Sequence, residues 1–237
     1  MTAKNIILLH GWGSNVKKMN PLARELHKRG WSVFIPKLPG FDAPVPGFSW
    51  SVSDYTDFVK KKSVEKYGND FFLFGHSFGG RVTIKLASKE NSNFKGIILC
   101  SAAGLSRGSL IKRYIFWTLA KIGKILSFFP QMGNLWKKLL YKLAREHDYE
   151  KTNNVMREIF KKVVSEDLKS DVKKINLPTL ILWGELDKAT PVADAFYIKR
   201  NVKKSMMKIY KNIGHRLPYE KYAEVAEEID RWYTNLK

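Results

Sequence analysis

Short apolar runs recur along this chain, separated by longer stretches of mixed polarity. NIILLH (5–10), WSVFIP (31–36), FFLFG (71–75) and GIILCS (96–101) are apolar almost throughout and no longer than a strand. A strand open to water on one face alternates apolar and polar side chains. Runs without alternation predict strands covered on both faces. Between them, amphipathic segments predict helices at about 19–29, 53–66 and 78–90. The beat of strand, helix, strand implies an α/β fold: a parallel sheet with right-handed crossovers. It resumes with TLILW (179–183), a helix from Pro191, MMKIY (206–210) and a closing helix from Tyr219 to Thr234.

From about 105 to 170 the beat stops. Helical patterning near 109–129, 132–147 and 152–167 replaces it, without a strand-like run. Residues 1–104 and 171–237 are therefore read as one core and 105–170 as an inserted helical cap. In the first of these helices Leu110, Tyr114, Trp117, Ile122, Ile125 and Phe129 lie broadly to one side, and Lys112, Arg113 and Lys124 lie away from it. Such a face seeks an apolar partner. Because the insertion leaves just after the strand ending near Ser101 and returns before the one near 180, Trp117 and Phe129 are expected to roof a site at that edge of the sheet.

A chain of 237 residues, 44% of them apolar, can bury a core as one domain with an insertion. Its single cysteine, Cys100, excludes an internal disulfide framework; a small buried hydrophobe in a reducing compartment is the expectation. The N-terminal apolar run is too short for a signal peptide and no run approaches the roughly 18 apolar residues of a membrane span, which places the protein in the cytoplasm. The net charge of +20 comes from 32 Lys and 10 Arg scattered over helix-like faces. No zinc-finger, RNA-binding or helix-turn-helix signature accompanies them, so no nucleic-acid partner is expected. Residues 105–145 carry nine basic residues and no acidic one. Weak contact of this segment with an anionic membrane or an acidic carrier is an expectation that coexists with catalysis.

GHSFGG (75–80) lies between a buried run and a helical segment. A serine there is either a helix N-cap or a nucleophile raised on a tight strand-to-helix turn. A serine hydroxyl is a poor nucleophile at neutral pH, so the second reading needs a histidine and an acid farther along, each in a loop after a strand. LILWGELDKATP (180–191) supplies Asp187, and NIGHRLP (212–218) supplies His215. Alone, Asp187 reads equally as a turn aspartate and His215 as an ordinary loop histidine. Together with Ser77 they fall in the order Ser, Asp, His, all at carboxyl ends of parallel strands. An acyl-transfer site also needs N–H donors for an oxyanion. The amide of Phe78 follows the nucleophile, and HGWG (10–13) places the Trp12 amide in the loop after the first strand, although HGWG alone is also an ordinary Gly-rich turn.

The set HGWG, GHSFGG, GELD and GH resembles the α/β-hydrolases of the cap-bearing serine carboxylesterase type, which share an HGxG loop, a GxSxG elbow, a GxxD acid loop and a GH histidine loop. The resemblance covers nearly the whole chain. It implies Ser77 as nucleophile, His215 as general base, Asp187 as its orienting partner and Trp12 and Phe78 as oxyanion donors. By the same resemblance His10 and His76 neighbour the site without carrying protons. The context is similar to small carboxylesterases, including those that cleave methyl esters from carrier-bound acyl chains. Relatives place two strands ahead of the HGxG loop; this chain opens almost at HGWG, so a shortened parallel sheet of about six strands is expected.

The activity implied is hydrolysis of carboxylic esters with short to medium acyl chains, lactones included, through an acyl-enzyme and with no cofactor or metal. A serine at 77 excludes the haloalkane dehalogenases and epoxide hydrolases of this fold, which need a carboxylate there. A carbon–carbon bond hydrolase keeps the same triad and differs in its cap. A non-catalytic binding module, with the basic cap toward an anionic surface or partner, is the reading from another class. Substrate identity and oligomeric state are not encoded in these motifs.

Overall fold

The computed structural model describes residues 4–89, 94–105 and 154–236. Each expected run forms a strand: β1 (Lys4–Leu9), β2 (Trp31–Phe34), β3 (Phe72–His76), β4 (Gly96–Cys100), β5 (Thr179–Gly184) and β6 (Ser205–Tyr210). They make one six-stranded sheet in the order β2-β1-β3-β4-β5-β6, parallel at every pairing. The core explains the unbroken apolar runs. Ile7, Leu9, Leu73, Ile97, Leu99, Ile181 and Trp183 pack on one face, and Ile6, Leu8, Phe72, Phe74, Ile98, Cys100, Leu180 and Leu182 on the other. Cys100 is fully buried and unbonded.

The helices are α1 (Val16–Lys28), α2 (Val52–Tyr67), α3 (Phe78–Ala87), α4 (Asn154–Ser165), α5 (Lys169–Lys174), α6 (Ala193–Asn201), α7 (Leu217–Glu220) and α8 (Tyr222–Thr234). Helix α1 starts three residues before the patterned segment because Asn15 caps it: its side chain accepts the Lys18 amide at 3.0 Å. The closing helix is two pieces. Lys221, at φ −122 and ψ 37, leaves helical space between α7 and α8. Of the three helices expected within 105–170, the last appears as α4, followed by the short α5. Those near 109–129 and 132–147, with Trp117, Phe129 and nearly all of the basic 105–145 segment, lie outside the described residues.

From β1 the chain steps to β2 on one side and returns to β3 on the other, with Leu9 beside Gly75. At such a reversal the loops at the strands' carboxyl ends diverge and leave a crevice, where open α/β sheets bind ligands. Here the flanking loops are HGWG after β1 and the turn at Ser77 after β3. Among the described residues no helix is long and apolar enough to cross a membrane.

Candidate active site

Ser77 occupies the N-cap position of α3, yet its side chain makes no capping hydrogen bond. Its backbone is held at φ 52, a region β-carbon sterics disfavour for any residue but glycine. Three main-chain bonds hold it there: the Ser77 amide donates to Cys100 O at 3.3 Å, and the Ala103 and Arg81 amides donate to Ser77 O at 3.0 and 3.1 Å. The turn demands glycine on both sides. A β-carbon on Gly75 would collide with Thr83 Oγ1 and Gly79 O, and one on Gly79 with the Leu9 carbonyl.

Freed from capping, Ser77 Oγ lies 3.0 Å from His215 Nε2. His215 Nδ1 lies 2.8 Å from Asp187 Oδ2. A carboxylate only accepts, so Nδ1 carries the proton and Nε2 offers its lone pair to the serine hydroxyl. The His215 side chain is 22% exposed and that of Asp187 fully buried. Asp187 is saturated: Oδ1 accepts the Ala189 and Thr190 amides, each at 2.9 Å, and Oδ2 accepts the Thr190 hydroxyl at 2.8 Å besides His215. Burial pushes its carboxyl up, but the hydrogen bonds and charge of His215 and the bonds from Thr190 outweigh this and hold it below its ordinary value.

The HGWG loop closes against this group. A β-carbon on Gly11 would stand 3.2 Å from Ser77 Cβ, and the Gly79 amide donates to His10 O at 3.1 Å. The indole of Trp12 meets the ring of Phe78 edge-on at 5.4 Å, so the two candidate oxyanion donors are locked to each other through their side chains. Among the described residues neither the Trp12 nor the Phe78 amide donates to a backbone carbonyl. Phe41 and Phe160 complete an aromatic wall on Trp12, at 5.0 and 5.1 Å. Phe160 belongs to α4.

The structure thus brings together Ser77, Asp187, His215, Trp12 and Phe78; Trp117 and Phe129 lie outside the described residues. Four contributors were not foreseen as such. Thr190 serves Asp187, and its signal was a threonine three residues after the acid in a tight loop. Asp42 Oδ2 meets His10 Nε2 at 3.1 Å and accepts the Val16 amide at 2.9 Å, anchoring the HGWG loop. Tyr219 and Ser14 meet near His76. Among the described residues no group of three or more His, Cys, Asp or Glu is placed to hold a metal ion.

Residues 2–222 match the family model described as serine aminopeptidase, S33. The AB hydrolase superfamily protein YisY of Bacillus subtilis is 29% identical over 93% of this chain and 88% of its own length. Lipase 3 of a Moraxella species is 21% identical over 100% of this chain and 79% of its own. The solved structure of a thermophilic esterase from Thermogutta terrifontis superposes with a TM-score of 0.71 at 19% identity, covering 99% of this chain and 90% of that one. The family match spans most of the sequence, and the parallel sheet flanked by helices is that of the α/β-hydrolase neighbours: the chain belongs to the serine aminopeptidase S33 family of α/β-hydrolases.

Proposed function

We propose that this α/β-hydrolase cleaves carboxylic esters by nucleophilic catalysis at Ser77. The observation that carries the reading is a serine in a strained N-cap backbone whose hydroxyl, instead of capping its helix, faces a histidine already oriented by a buried carboxylate. His215 Nε2 takes the Ser77 proton as Oγ attacks the ester carbonyl. Asp187 steadies the imidazolium, and the Trp12 and Phe78 amides receive the oxyanion. His215 then protonates the leaving alcohol, and water activated by the same nitrogen releases the acid from the acyl-enzyme. Residues 105–170 act as a cap, with Phe160 its described contact to the oxyanion loop. The lipase among the relatives supports an ester substrate.

The test is turnover of a p-nitrophenyl ester series. Ser77→Ala and His215→Ala should each lower kcat by about three or more orders of magnitude, with the double variant little worse than either, because the residues act as a unit. Effects that multiply cleanly would overturn the reading. The family's aminopeptidase description supplies a second substrate class. Faster turnover of an aminoacyl p-nitroanilide than of any ester would replace ester by peptide chemistry at the same serine.

A further inference from the structure

The residue before the nucleophile is a histidine that the proposed mechanism does not use. His76 is 3% exposed, and both ring nitrogens are engaged. Nε2 lies 2.8 Å from the main-chain carbonyl of His215. Nδ1 lies 3.3 Å from the Tyr219 hydroxyl, which is itself hydrogen-bonded to Ser14 Oγ at 3.1 Å. A carbonyl only accepts, so the proton sits on Nε2; Nδ1 is left an acceptor, and the single proton of the Tyr219 hydroxyl serves either Ser14 Oγ or Nδ1. His76 therefore spans three pieces of the site from within the turn that carries Ser77. One end holds the backbone of His215, and the other reaches α7 and the loop that carries Trp12.

We propose that His76 is a positioning residue: with Tyr219 and Ser14 it fixes the His215 main chain relative to Ser77 and ties that geometry to the oxyanion loop. The proposal rests on the reading of Ser77 and His215 as nucleophile and base. Filling space does not account for the arrangement, because an apolar side chain of similar size fills it without the desolvation an imidazole suffers. Nor does proton transfer, since neither nitrogen of His76 faces Ser77 Oγ in a hydrogen bond. Burial keeps the ring neutral, pushing it down to about 3. Neutrality matters, because the two imidazole centroids are only 4.9 Å apart and a charged His76 would oppose the imidazolium that His215 forms in each cycle.

Misplacing a catalytic base by about 1 Å costs on the order of 100-fold, whereas substrate binding is nearly indifferent to it. With p-nitrophenyl acetate, His76→Leu should lower kcat about 10- to 100-fold and change KM less than about twofold. The His76→Gln side chain offers an N–H near the Nε2 position and should recover most of that loss. Tyr219→Phe should lower kcat severalfold with KM held. Wild-type kcat in His76→Leu, or equal losses in His76→Leu and His76→Gln with KM rising in both, would overturn the proposal. If the leucine variant does not fold, wild-type kcat in both His76→Gln and Tyr219→Phe confines the role of these residues to packing and overturns it too. Ser77→Ala, run alongside, separates the two ideas. Loss in Ser77→Ala with no effect at His76 overturns the positioning role alone, whereas unchanged turnover in Ser77→Ala removes the reading beneath it.

Discussion

Asp187 Oδ2 is shared between two donors, the Nδ1–H of His215 and the hydroxyl of Thr190, both at 2.8 Å. Thr190 Oγ1 also lies 3.1 Å from Ser101 O, and its carbonyl takes the Trp183 indole N–H at 2.6 Å, so the acid loop is pinned to β5 independently of His215. Thr190→Val keeps the shape and removes the hydroxyl. It should lower kcat severalfold on a p-nitrophenyl ester, with Thr190→Ser restoring it; Asp187→Asn, which inverts the His215 tautomer, should cost far more, roughly a thousandfold or beyond. Equal losses in the two would show that Thr190 does more than support the acid. His76 makes a separate prediction for stability. Burial takes it from an ordinary value of 6.5 down to about 3, so between those limits the unfolded chain binds a proton there and the folded chain does not. Folding stability must then fall as pH drops through that window, by about 1.4 kcal/mol per pH unit for one such group. Buried His10, also pushed down by desolvation, adds in the same direction. Urea unfolding at pH 5 and 6 should therefore show a shallower slope in His76→Gln than in wild type, and an unchanged slope would mean that His76 is not neutral when folded. At this scale Ser77, Asp187 and His215 were legible in the sequence because each sits in a short motif after a strand. Thr190, Tyr219 and Asp42 were not, since a hydroxyl or carboxylate gains meaning only when folding brings it to a partner far along the chain.

At the level of elements, the four inner strands were read correctly because burial on both faces leaves a run that no surface helix produces, whereas the edge strands β2 and β6 are only partly buried and were found by their rhythm in the chain. Boundaries failed where a single side chain decides them. Asn15 starts α1 early, Lys221 divides the closing helix, and β2, at the sheet edge, stops at Phe34 rather than continuing toward Pro36. Two substitutions separate elements that serve folding alone from the one that also serves the site. Ser51 begins α2 with a reciprocal box: Asp54 Oδ2 accepts the Ser51 amide at 2.7 Å, and Ser51 Oγ accepts the Asp54 amide at 3.4 Å. Ser51→Ala should cost about 1 kcal/mol of stability and leave kcat alone. Gly79 lies where α3 crosses β1, its amide on His10 O and the place of a β-carbon taken by the Leu9 carbonyl. A methyl group there forces helix and strand apart. Gly79→Ala should cost about 1–3 kcal/mol or more and also depress kcat, because the displaced strand end carries the HGWG loop beside Ser77. Denaturant titrations paired with ester kinetics check both, and full activity in Gly79→Ala would mean that the HGWG loop moves independently of α3.

Across the whole molecule, the strand order turns back at β1 and β3 while every strand runs parallel, which puts the candidate site at the carboxyl edge where their loops part, and the insertion is anchored directly beside it. The chain leaves the core at Gly104, at φ +132, and is back by Leu168, whose amide donates to Gly104 O at 2.8 Å. The returning end is fastened to α3, the helix behind Ser77. Arg81 donates to Glu166 O, Lys85 pairs with Glu166 at 2.9 Å and Asp171 at 3.3 Å, and Ser88 donates to Asp171 at 2.8 Å. Helix α4 then lays Met156, Ile159 and Val163 into the core and sets Phe160 on Trp12. One exit and one entry held together are what an insertion over a site requires; a surface anchor would need them equally. Phe160 carries the prediction that separates the two. If the insertion shapes the acyl site, Phe160→Ala should shift the preferred chain length of p-nitrophenyl esters while acetate turnover stays within about twofold, because the group lies on the aromatic wall and not among the reacting atoms. If instead the basic 105–145 segment places the protein on an anionic surface, the wild type should bind vesicles containing phosphatidylserine with an affinity that falls steeply as salt rises. Acyl-length preference should then be the same with and without the Phe160 ring. Unchanged preference together with salt-sensitive vesicle binding would overturn the cap reading, because a ring against Trp12 of the HGWG loop cannot be part of a lid and leave selectivity untouched.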